Sequence, residues 1–331
     1  MIPTIQTSAP FAVDSGSSWR GTAFMGVMRI LLCLMTVLCL SPLQGLILVL
    51  HLPGKAILPF FYHRICIRLL NFKLIVRGSI STTGPTLYVA NHSSYLDITV
   101  LGATLPGCCF VAKQEVAGWP LFGWLARLQR TVFVNRQARS QAGEQTEILR
   151  ERLGKGDSLV LFPEGTSSDG TRTLPFKSAL FAIAQTRIHG RPLTVQPISV
   201  TAVALDGIPL GRALRPFYAW YGDMVLLPHL WDIFRMGGMT VVLDFHSPVT
   251  LEEFGSRKTL AEHCQKVVAQ GVAAAVSGRR HSGDAVMAET CPAFGLLACS
   301  LNFQDIRGIF DGFDFESEVY SGDPDAPYFS C

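Results

Sequence analysis

Charged residues are scarce in this chain: they make up 16% of its 331 residues, whereas hydrophobic residues make up 49%. Ordinary soluble domains carry about 25% charged residues, so this balance indicates a protein that contacts a lipid bilayer. The scarcity is greatest in residues 30–50, which include no charged residue at all. At about 1.5 Å per residue, a helix over this stretch is long enough to cross a hydrocarbon core of roughly 30 Å.

Residues 30–50 have three interpretations. The first is a membrane-spanning helix kinked at Pro42, and the second is a hydrophobic hairpin that enters one leaflet with Pro42 and Gly45 at its bend. The third is a cleaved signal peptide, which would need a shorter apolar core and a small-residue cleavage site after it. The sequence therefore favours an N-terminal membrane-embedded helix or hairpin.

The basic residues around this stretch predict its orientation. Arg20 and Arg29 precede it, and a larger group follows closely: Lys55, Arg64, Arg68, Lys73 and Arg77. Because lysine and arginine are enriched on the cytoplasmic side of membrane proteins, we expect the chain after this stretch to lie in the cytoplasm. Residues 55–72 mix aromatic, aliphatic and basic residues, so they either lie in the headgroup layer or pack against the domain that follows.

The sequence contains no metal-binding or nucleic-acid-binding signature. Its nine cysteines include no C-x-x-C pair, which argues against a zinc site and a disulfide framework. It has no helix-turn-helix, RNP or zinc-finger pattern, so we expect no nucleic-acid partner.

Residues 304–331 carry seven acidic residues and one basic residue, which leaves the rest of the chain with 27 basic and 18 acidic residues and a net charge of +9. A basic body beside a membrane anchor suits lipid headgroups or phosphorylated ligands.

Short β-rich apolar runs alternate with longer helical stretches after residue 72, a pattern typical of an α/β sheet flanked by helices. The predicted helices cover residues 141–153, 177–188 and 260–276, and the predicted strands cover residues 73–76, 86–90, 109–112, 131–134, 158–162, 194–203 and 240–245. We divide the chain into an N-terminal segment (1–24), a membrane anchor with an interfacial segment (25–72), the main domain (73–277) and a linker with an acidic tail (278–331).

Polar residues follow three of the predicted strands. His92, Arg136 and Glu164 each come shortly after the end of a strand. Because ligands of α/β sheets bind at the carboxyl ends of strands, we expect these three residues to converge.

His92 and Asp97 have the spacing of a catalytic base and its orienting acid. In NHSSYLD, Asp97 follows a turn and can accept a hydrogen bond from one ring nitrogen of His92, which leaves the other nitrogen basic. The structural alternative makes Asn91 and His92 turn residues, Ser93 or Ser94 a helix cap, and Asp97 a solvated acid. Because no G-x-S-x-G elbow occurs, the expected nucleophile is a substrate hydroxyl, which favours acyl transfer to an alcohol over hydrolysis.

The stretch LVLFPEGTSSDGTRTLPFK offers a second set of candidate site residues. The backbone and hydroxyl groups of Gly165 and Thr166 can hold a phosphate, and Glu164 can orient an acceptor hydroxyl or a basic neighbour. The positive charge that a phosphate needs is expected from basic residues near the strand ends: Lys113, Arg136, Arg172 and Lys177.

Four blocks of the sequence together resemble the lysophosphatidic acid acyltransferases, the 1-acylglycerol-3-phosphate acyltransferases of the glycerolipid acyltransferase superfamily. NHSSYLD resembles the N-H-x-x-x-x-D block of that family, TVFVNR its arginine-bearing block, FPEGTSS its F-P-E-G-T-R-S block and VQPISV its proline-containing block. The blocks occur in the family's order, and the resemblance covers residues 70–250.

The resemblance implies a mixed sheet flanked by helices and a bacterial inner-membrane enzyme whose catalytic domain faces the cytoplasm. It also implies transfer of an acyl group from a thioester of coenzyme A or acyl carrier protein to lysophosphatidic acid, with membrane lipids as partners and without a cofactor or metal. The implied roles are general base for His92, its orienter for Asp97, and acceptor binding for Arg136, Glu164, Gly165 and Thr166.

One position departs from the family pattern. Ser167 stands where the third block has arginine, so either Arg172 or Lys177 compensates or the acceptor headgroup is not a phosphomonoester. WYGDMVLLPHLW (220–231) and SSDGTRTLPFK resemble a bacterial subgroup that acylates lyso-ornithine lipid, whose acceptor hydroxyl lies on a fatty acyl chain. Lyso-ornithine lipid is therefore the alternative acceptor.

Two hypotheses of other classes are weaker. A lipid hydrolase or a transacylase that needs no thioester could use the same pair of residues, and a silent lipid-binding scaffold is opposed by the presence of both His92 and Asp97. For the acyl chain, we expect residues 119–128 to line an apolar tunnel.

Overall fold

A mixed sheet forms the centre of the computed structural model, which describes residues 21–134 and 142–278. The strands that lie side by side are, in order, β1 (Lys73–Arg77), β10 (Met239–Phe245), β8 (Thr194–Leu205), β2 (Thr86–Ala90), β5 (Ser158–Leu161), β3 (Cys108–Lys113) and β4 (Val132–Val134). The strands β8, β2, β5, β3 and β4 run parallel, whereas β10 is antiparallel to β8. Short strands β9 (Ile208–Pro209) and β11 (Val249–Thr250) pair with β8. The expected mixed α/β sheet is confirmed.

Helices cover both faces of this sheet, and both faces are apolar. The helices are α1 (Ala23–Val49), α2 (Ile57–Leu69), α3 (Leu96–Thr104), α4 (Phe122–Leu128), α5 (Ala142–Gly154), α6 (Leu226–Arg235) and α7 (Arg257–Val276). On β2, Tyr88 and Ala90 face a core shared with α2, α3 and α6, while Leu87 and Val89 face a core shared with α5 and α7. This alternation with both sides buried is typical of parallel strands.

The helix predicted over residues 177–188 is wrong. Ser178–Gln185 forms a 3₁₀ helix, and the chain then enters a hairpin of β6 (Arg187–Ile188) and β7 (Arg191–Pro192). The turn residues His189 and Gly190 have φ values of 48° and 79°, as a type I′ hairpin turn requires. The helical pattern in the sequence continues across this turn.

The α1 helix runs without interruption through Pro42, so the bend that the hairpin interpretation placed at Pro42 and Gly45 is absent. By length and composition, α1 is the helix among the described residues that is long and apolar enough to cross a membrane.

The distribution of buried and exposed residues on α1 is the inverse of that of a helix on a water-soluble domain. The buried positions are small or polar, namely Gly26, Arg29, Ser41 and Gln44, whereas large apolar side chains point outward, including Phe24, Val27, Leu31, Met35, Leu38, Leu46 and Val49.

Two buried polar side chains attach α1 to the rest of the protein. Arg29 Nη1 donates to the carbonyl oxygens of Phe234 (3.1 Å) and Met236 (2.6 Å) at the end of α6. Gln44 Nε2 donates to the carbonyl oxygen of Leu128 (3.0 Å) at the end of α4. The two attachment points are about 22 Å apart along the helix axis. The α1 helix therefore lies along the surface of the domain over much of its length.

The α2 helix packs against α3, as the second interpretation of residues 55–72 expected, and buries His63, Cys66 and Ile67. Burial lowers the pKa of His63 to about 4, so its ring is neutral. The ring fills the space beside Gly102 on α3, where a Cβ atom would lie 2.4 Å from His63 Cδ2. Glycine at this position allows the two helices to approach closely.

We expect Gly102→Ala to destabilise the protein by about 1–3 kcal/mol, because the added methyl group overlaps the buried His63 ring. Thermal unfolding in detergent measures the effect as a lower midpoint. Gly154→Ala is the matched control, since nothing lies within 4 Å of a Cβ atom at that helical position. Equal midpoints for the two variants would show that the α2–α3 contact tolerates the methyl group.

Candidate active site

The turn between β2 and α3 carries the candidate catalytic residues. It begins at Asn91, directly after the last residue of β2. The Asn91 side chain donates from Nδ2 to the carbonyl oxygen of Val200 and accepts from the amide of Val200, both at 2.8 Å. Since Val200 belongs to β8, this side chain extends the pairing of the two strands by one residue and fixes the backbone on which His92 is mounted.

The His92 ring is held by a carboxylate on one edge and by an aromatic face. Its Nδ1 lies 2.9 Å from Asp97 Oδ2, and its ring stacks on Phe162 with 4.2 Å between centroids and 20° between planes. Because a carboxylate only accepts, Nδ1 donates the proton, which leaves Nε2 unprotonated and able to act as a base. The His92 side chain is 22% exposed and the Asp97 side chain is fully buried.

The carboxylate of Asp97 is surrounded by hydrogen-bond donors. Its Oδ2 accepts from the amides of Ser93 (2.7 Å) and Ser94 (2.9 Å), and its Oδ1 accepts from the hydroxyl of Tyr218 (2.8 Å). Asp97 also lies in the first turn of α3, where the helix dipole favours a negative charge. The alternative in which Asp97 is a solvated acid is therefore wrong.

Glu164 lies against the same turn. After β5, the amide of Gly165 donates to the carbonyl oxygen of Phe162 (3.1 Å), and Gly165 has φ of 75°, which closes a tight turn. This turn directs Glu164 Oε1 to the amide of His92 at 3.2 Å. Burial raises the pKa of Glu164 to about 8, and the charge of Asp97 acts in the same direction. Glu164 is therefore largely protonated at neutral pH and adds little negative charge beside Asp97.

The loop after Glu164 also contacts the His92 backbone. The amide of Ser168 donates to the carbonyl oxygen of His92 at 2.9 Å. Thr166 is exposed and Ser167 is half-buried. The position at which Ser167 replaces the arginine of the family pattern is thus one residue away from a contact with the candidate base.

The structure does not bring the predicted cations into contact with the pair. Lys113, Arg172 and Lys177 are exposed, and among the described residues the hydrogen-bond partners of His92 and Asp97 do not include them. Lys113 ends β3, at the same edge of the sheet as His92. Arg136 lies outside the described residues.

Sequence reasoning missed a group of contacts from the segment before and within α6. Besides the Tyr218 hydroxyl, the amide of Trp220 donates to the carbonyl oxygen of Ser93 (2.8 Å), and His229 Nδ1 lies 2.9 Å from the hydroxyl of Tyr95. Trp220 and His229 belong to the block WYGDMVLLPHLW, so that block was a usable signal. Tyr218 precedes the block and carries no local pattern.

The predicted tunnel segment, residues 119–128, is only partly interior. Leu125 and Leu128 line a cavity of about 50 Å³ between α1, α2 and α4. Trp119, Leu121 and Trp124 are exposed. The role of this segment in holding an acyl chain stays a prediction.

A histidine that contacts a buried carboxylate, at the carboxyl edge of a mixed sheet, could transfer a group to a hydroxyl. Comparison with known proteins identifies the class as acyltransferase. A family model described as Acyltransferase matches residues 73–201. The fold resembles the crystal structure of the 1-acyl-sn-glycerophosphate acyltransferase of Thermotoga maritima with a TM-score of 0.50 and 22% identity, covering 78% of this chain and all of that one.

Two curated relatives give the family. The lyso-ornithine lipid O-acyltransferase of Brucella abortus is 41% identical over 77% of this chain and 98% of its own length. The 1-acyl-sn-glycerol-3-phosphate acyltransferase of Neisseria gonorrhoeae is 34% identical over 56% of this chain and 69% of its own. The chain belongs to the acyltransferase family that includes these enzymes.

The raised pKa of Glu164 makes the stability of the protein depend on pH. A buried acid of this kind stabilises the fold fully below its ordinary pKa of 4.5, and this contribution is lost as the pH rises through about 8. We expect the unfolding midpoint of the wild type to fall between pH 6.5 and pH 8.5, and Glu164→Gln to reduce that fall because glutamine stays neutral. Thermal scans of both proteins at the two pH values measure the change in unfolding midpoint. An equal fall in the wild type and in Glu164→Gln would contradict the raised pKa of Glu164.

Proposed function

We propose that this acyltransferase moves a fatty acyl group from an acyl thioester to the free hydroxyl of lyso-ornithine lipid. The observation that carries the proposal is the 41% identity with the Brucella lyso-ornithine lipid O-acyltransferase across 98% of that protein. Ser167 agrees with it, because an ornithine headgroup carries no phosphate and requires no arginine for one.

In the proposed mechanism, Nε2 of His92 takes the proton of the acceptor hydroxyl as the oxygen attacks the thioester carbonyl carbon. Asp97 keeps the proton on Nδ1 and stabilises the imidazolium that forms. The tetrahedral intermediate then collapses, the carbon–sulfur bond breaks, and the thiolate takes the proton from Nε2. The donor is a thioester of coenzyme A or acyl carrier protein, and no further cofactor is needed.

The remaining candidate residues are assigned to binding. Glu164, Gly165 and Thr166 follow β5 beside His92, and the protonated Glu164 can donate a hydrogen bond to the acceptor without repelling Asp97. The candidate cations suit the anionic parts of the two substrates, which are the ornithine carboxylate and the phosphates of the donor. These cations are Lys113, Arg172 and Lys177, together with Arg136 from outside the described residues.

Lysophosphatidic acid is the second candidate acceptor. It is favoured by the 34% identity with the Neisseria enzyme and by the four sequence blocks in the order of that family. Arg172 or Lys177 would then supply the positive charge that Ser167 lacks.

We further propose that α1 embeds sideways in the cytoplasmic leaflet of the inner membrane. Its outer face is apolar, as lipid requires, while Arg29 and Gln44 bind the domain at points about 22 Å apart. A helix upright in the bilayer would place much of the attached domain inside the hydrocarbon core, where polar groups are costly.

The acceptor is tested by offering lyso-ornithine lipid and lysophosphatidic acid in parallel to the purified protein in vesicles. The donor is acyl-coenzyme A or acylated acyl carrier protein, and thiol release is followed. We expect faster release with lyso-ornithine lipid and a loss of at least about a hundredfold in His92→Ala, because general-base catalysis contributes about 10²–10⁴. Faster release with lysophosphatidic acid would select the second candidate.

Controls separate the remaining hypotheses. Release without either acceptor, or acyl transfer without a thioester, would instead indicate a hydrolase or a transacylase. His189→Ala is a matched histidine control. His189 lies in the β6–β7 turn, and this hairpin packs against the core on the other face of the sheet from Phe162, on which His92 stacks. We expect it to leave thiol release unchanged.

The position of α1 is tested with spin labels at Val27, Leu38 and Val49, which are exposed and spaced eleven residues apart on one side of the helix. For a helix lying in one leaflet, we expect similar depths of about 5–10 Å at all three positions. Depth is measured from the relative accessibility of each label to oxygen and to a polar relaxation agent. A Leu38 label much deeper than the other two would show that α1 spans the bilayer.

A further inference from the structure

The two oxygens of the Asp97 carboxylate have different partners. Oδ2 lies 2.9 Å from His92 Nδ1 and also accepts from the amides of Ser93 and Ser94. Oδ1 accepts from the Tyr218 hydroxyl at 2.8 Å, and the hydroxyl of Ser93 is more distant at 3.4 Å. Tyr218 is therefore the close donor on the oxygen that does not face the histidine.

The Tyr218 side chain is fixed in this arrangement. It is 2% exposed, its ring packs against Phe72 with 6.3 Å between centroids, and its amide donates to the carbonyl oxygen of Arg215 at 2.9 Å. Burial and the nearby charge of Asp97 raise the pKa of Tyr218 well above its usual range. The phenol therefore keeps its proton and acts as a permanent donor.

We propose that Tyr218 is a positioning residue of the acyl transfer, whose hydroxyl holds Oδ1 of Asp97 and sets how much negative charge the carboxylate presents to His92. This inference rests on the proposed function, in which His92 is the base. A hydrogen bond to one oxygen of a carboxylate draws charge toward that oxygen and weakens the other oxygen as an acceptor. Tyr218 thereby limits the stabilisation of protonated His92 and keeps the base available at lower pH.

Other ionisable groups lie near this arrangement in the part of the chain that the structure describes. Glu164, on the turn after β5, is in electrostatic contact with Asp97. Arg215, on the 3₁₀ turn Arg215–Phe217, donates to the carbonyl oxygen of Gly170 and interacts with Asp169. An effect of Tyr218 on the pH profile is therefore transmitted through Asp97.

The proposal predicts opposite shifts for two substitutions at one position. Tyr218→Phe removes the donor, so Oδ2 binds protonated His92 more strongly, and the acidic limb of the kcat profile moves to higher pH by about half a unit to one unit. Replacement of Tyr218 by 3-fluorotyrosine strengthens the donor and moves the same limb to lower pH. We expect KM for both substrates to stay unchanged, since Tyr218 is buried and contacts the oxygen of Asp97 that does not face His92.

The experiment measures kcat and KM of the full-length chain in vesicles between pH 5 and pH 9, with acyl-coenzyme A as donor and with lyso-ornithine lipid and lysophosphatidic acid as alternative acceptors. Tyr88→Phe is the matched control, because Tyr88 is equally buried but lies on β2 with its hydroxyl near Thr86, and we expect it to leave the limb in place. Unfolding midpoints of all variants are recorded in parallel.

Three outcomes decide the matter. Opposite shifts of the acidic limb with unchanged KM support the proposal. A fall in kcat or in the unfolding midpoint with an unshifted limb would overturn it and leave Tyr218 as a packing residue. Since the wild type and His92→Ala are measured alongside, a failure of the proposed function appears as wild-type inactivity or as full activity of His92→Ala, and is distinct from failure at Tyr218.

Discussion

The negative charge buried at Asp97 is the constraint on which the site depends. A carboxylate out of contact with water is costly unless donors surround it, and the cost rises steeply if one donor is removed. Here the donors come from two parts of the chain: the amides of Ser93 and Ser94 lie just before Asp97, while Tyr218 lies 121 positions later. The turn before α3, the α3 helix and the segment before α6 must therefore fold into a single arrangement that places all these donors around Asp97.

The sheet positions the candidate catalytic residues around this buried charge. The strand β2 lies between β5 and β8, so the residues that follow it have neighbours on both sides. From the β8 side, Val200 holds Asn91, and from the β5 side, Phe162 stacks on His92 while Glu164 meets its amide. Because both faces of these strands are packed, the histidine ring is held by groups that have little freedom to move.

Much of the fold and part of the candidate site could be predicted from the sequence, because the patterns that indicate them lie within short stretches of the chain. Strands were identifiable because β-rich apolar runs recur along the chain, and the His92–Asp97 contact follows from a five-residue spacing across a turn. Tyr218 could not be found in that way, since no spacing rule connects residues 121 positions apart. The sequence identified Lys113, Arg172 and Lys177 as candidate cations but could not predict what they contact. Long flexible side chains at a surface adopt many conformations, and a sequence pattern does not specify one of them. The β6–β7 hairpin was missed because a helical pattern ran into a His-Gly turn.

The attachment of α1 through Arg29 has a consequence for the order of events during synthesis. The carbonyl groups that receive its guanidinium belong to Phe234 and Met236, which leave the ribosome 205 and 207 residues later. At about 5–20 residues per second, the charge waits roughly 10–40 s for its partners. In the proposed arrangement of α1 beside the membrane, the guanidinium therefore lacks both carbonyl partners until the end of α6 has been made. The final position of α1 against the protein is then fixed by the folded domain and not by the helix alone.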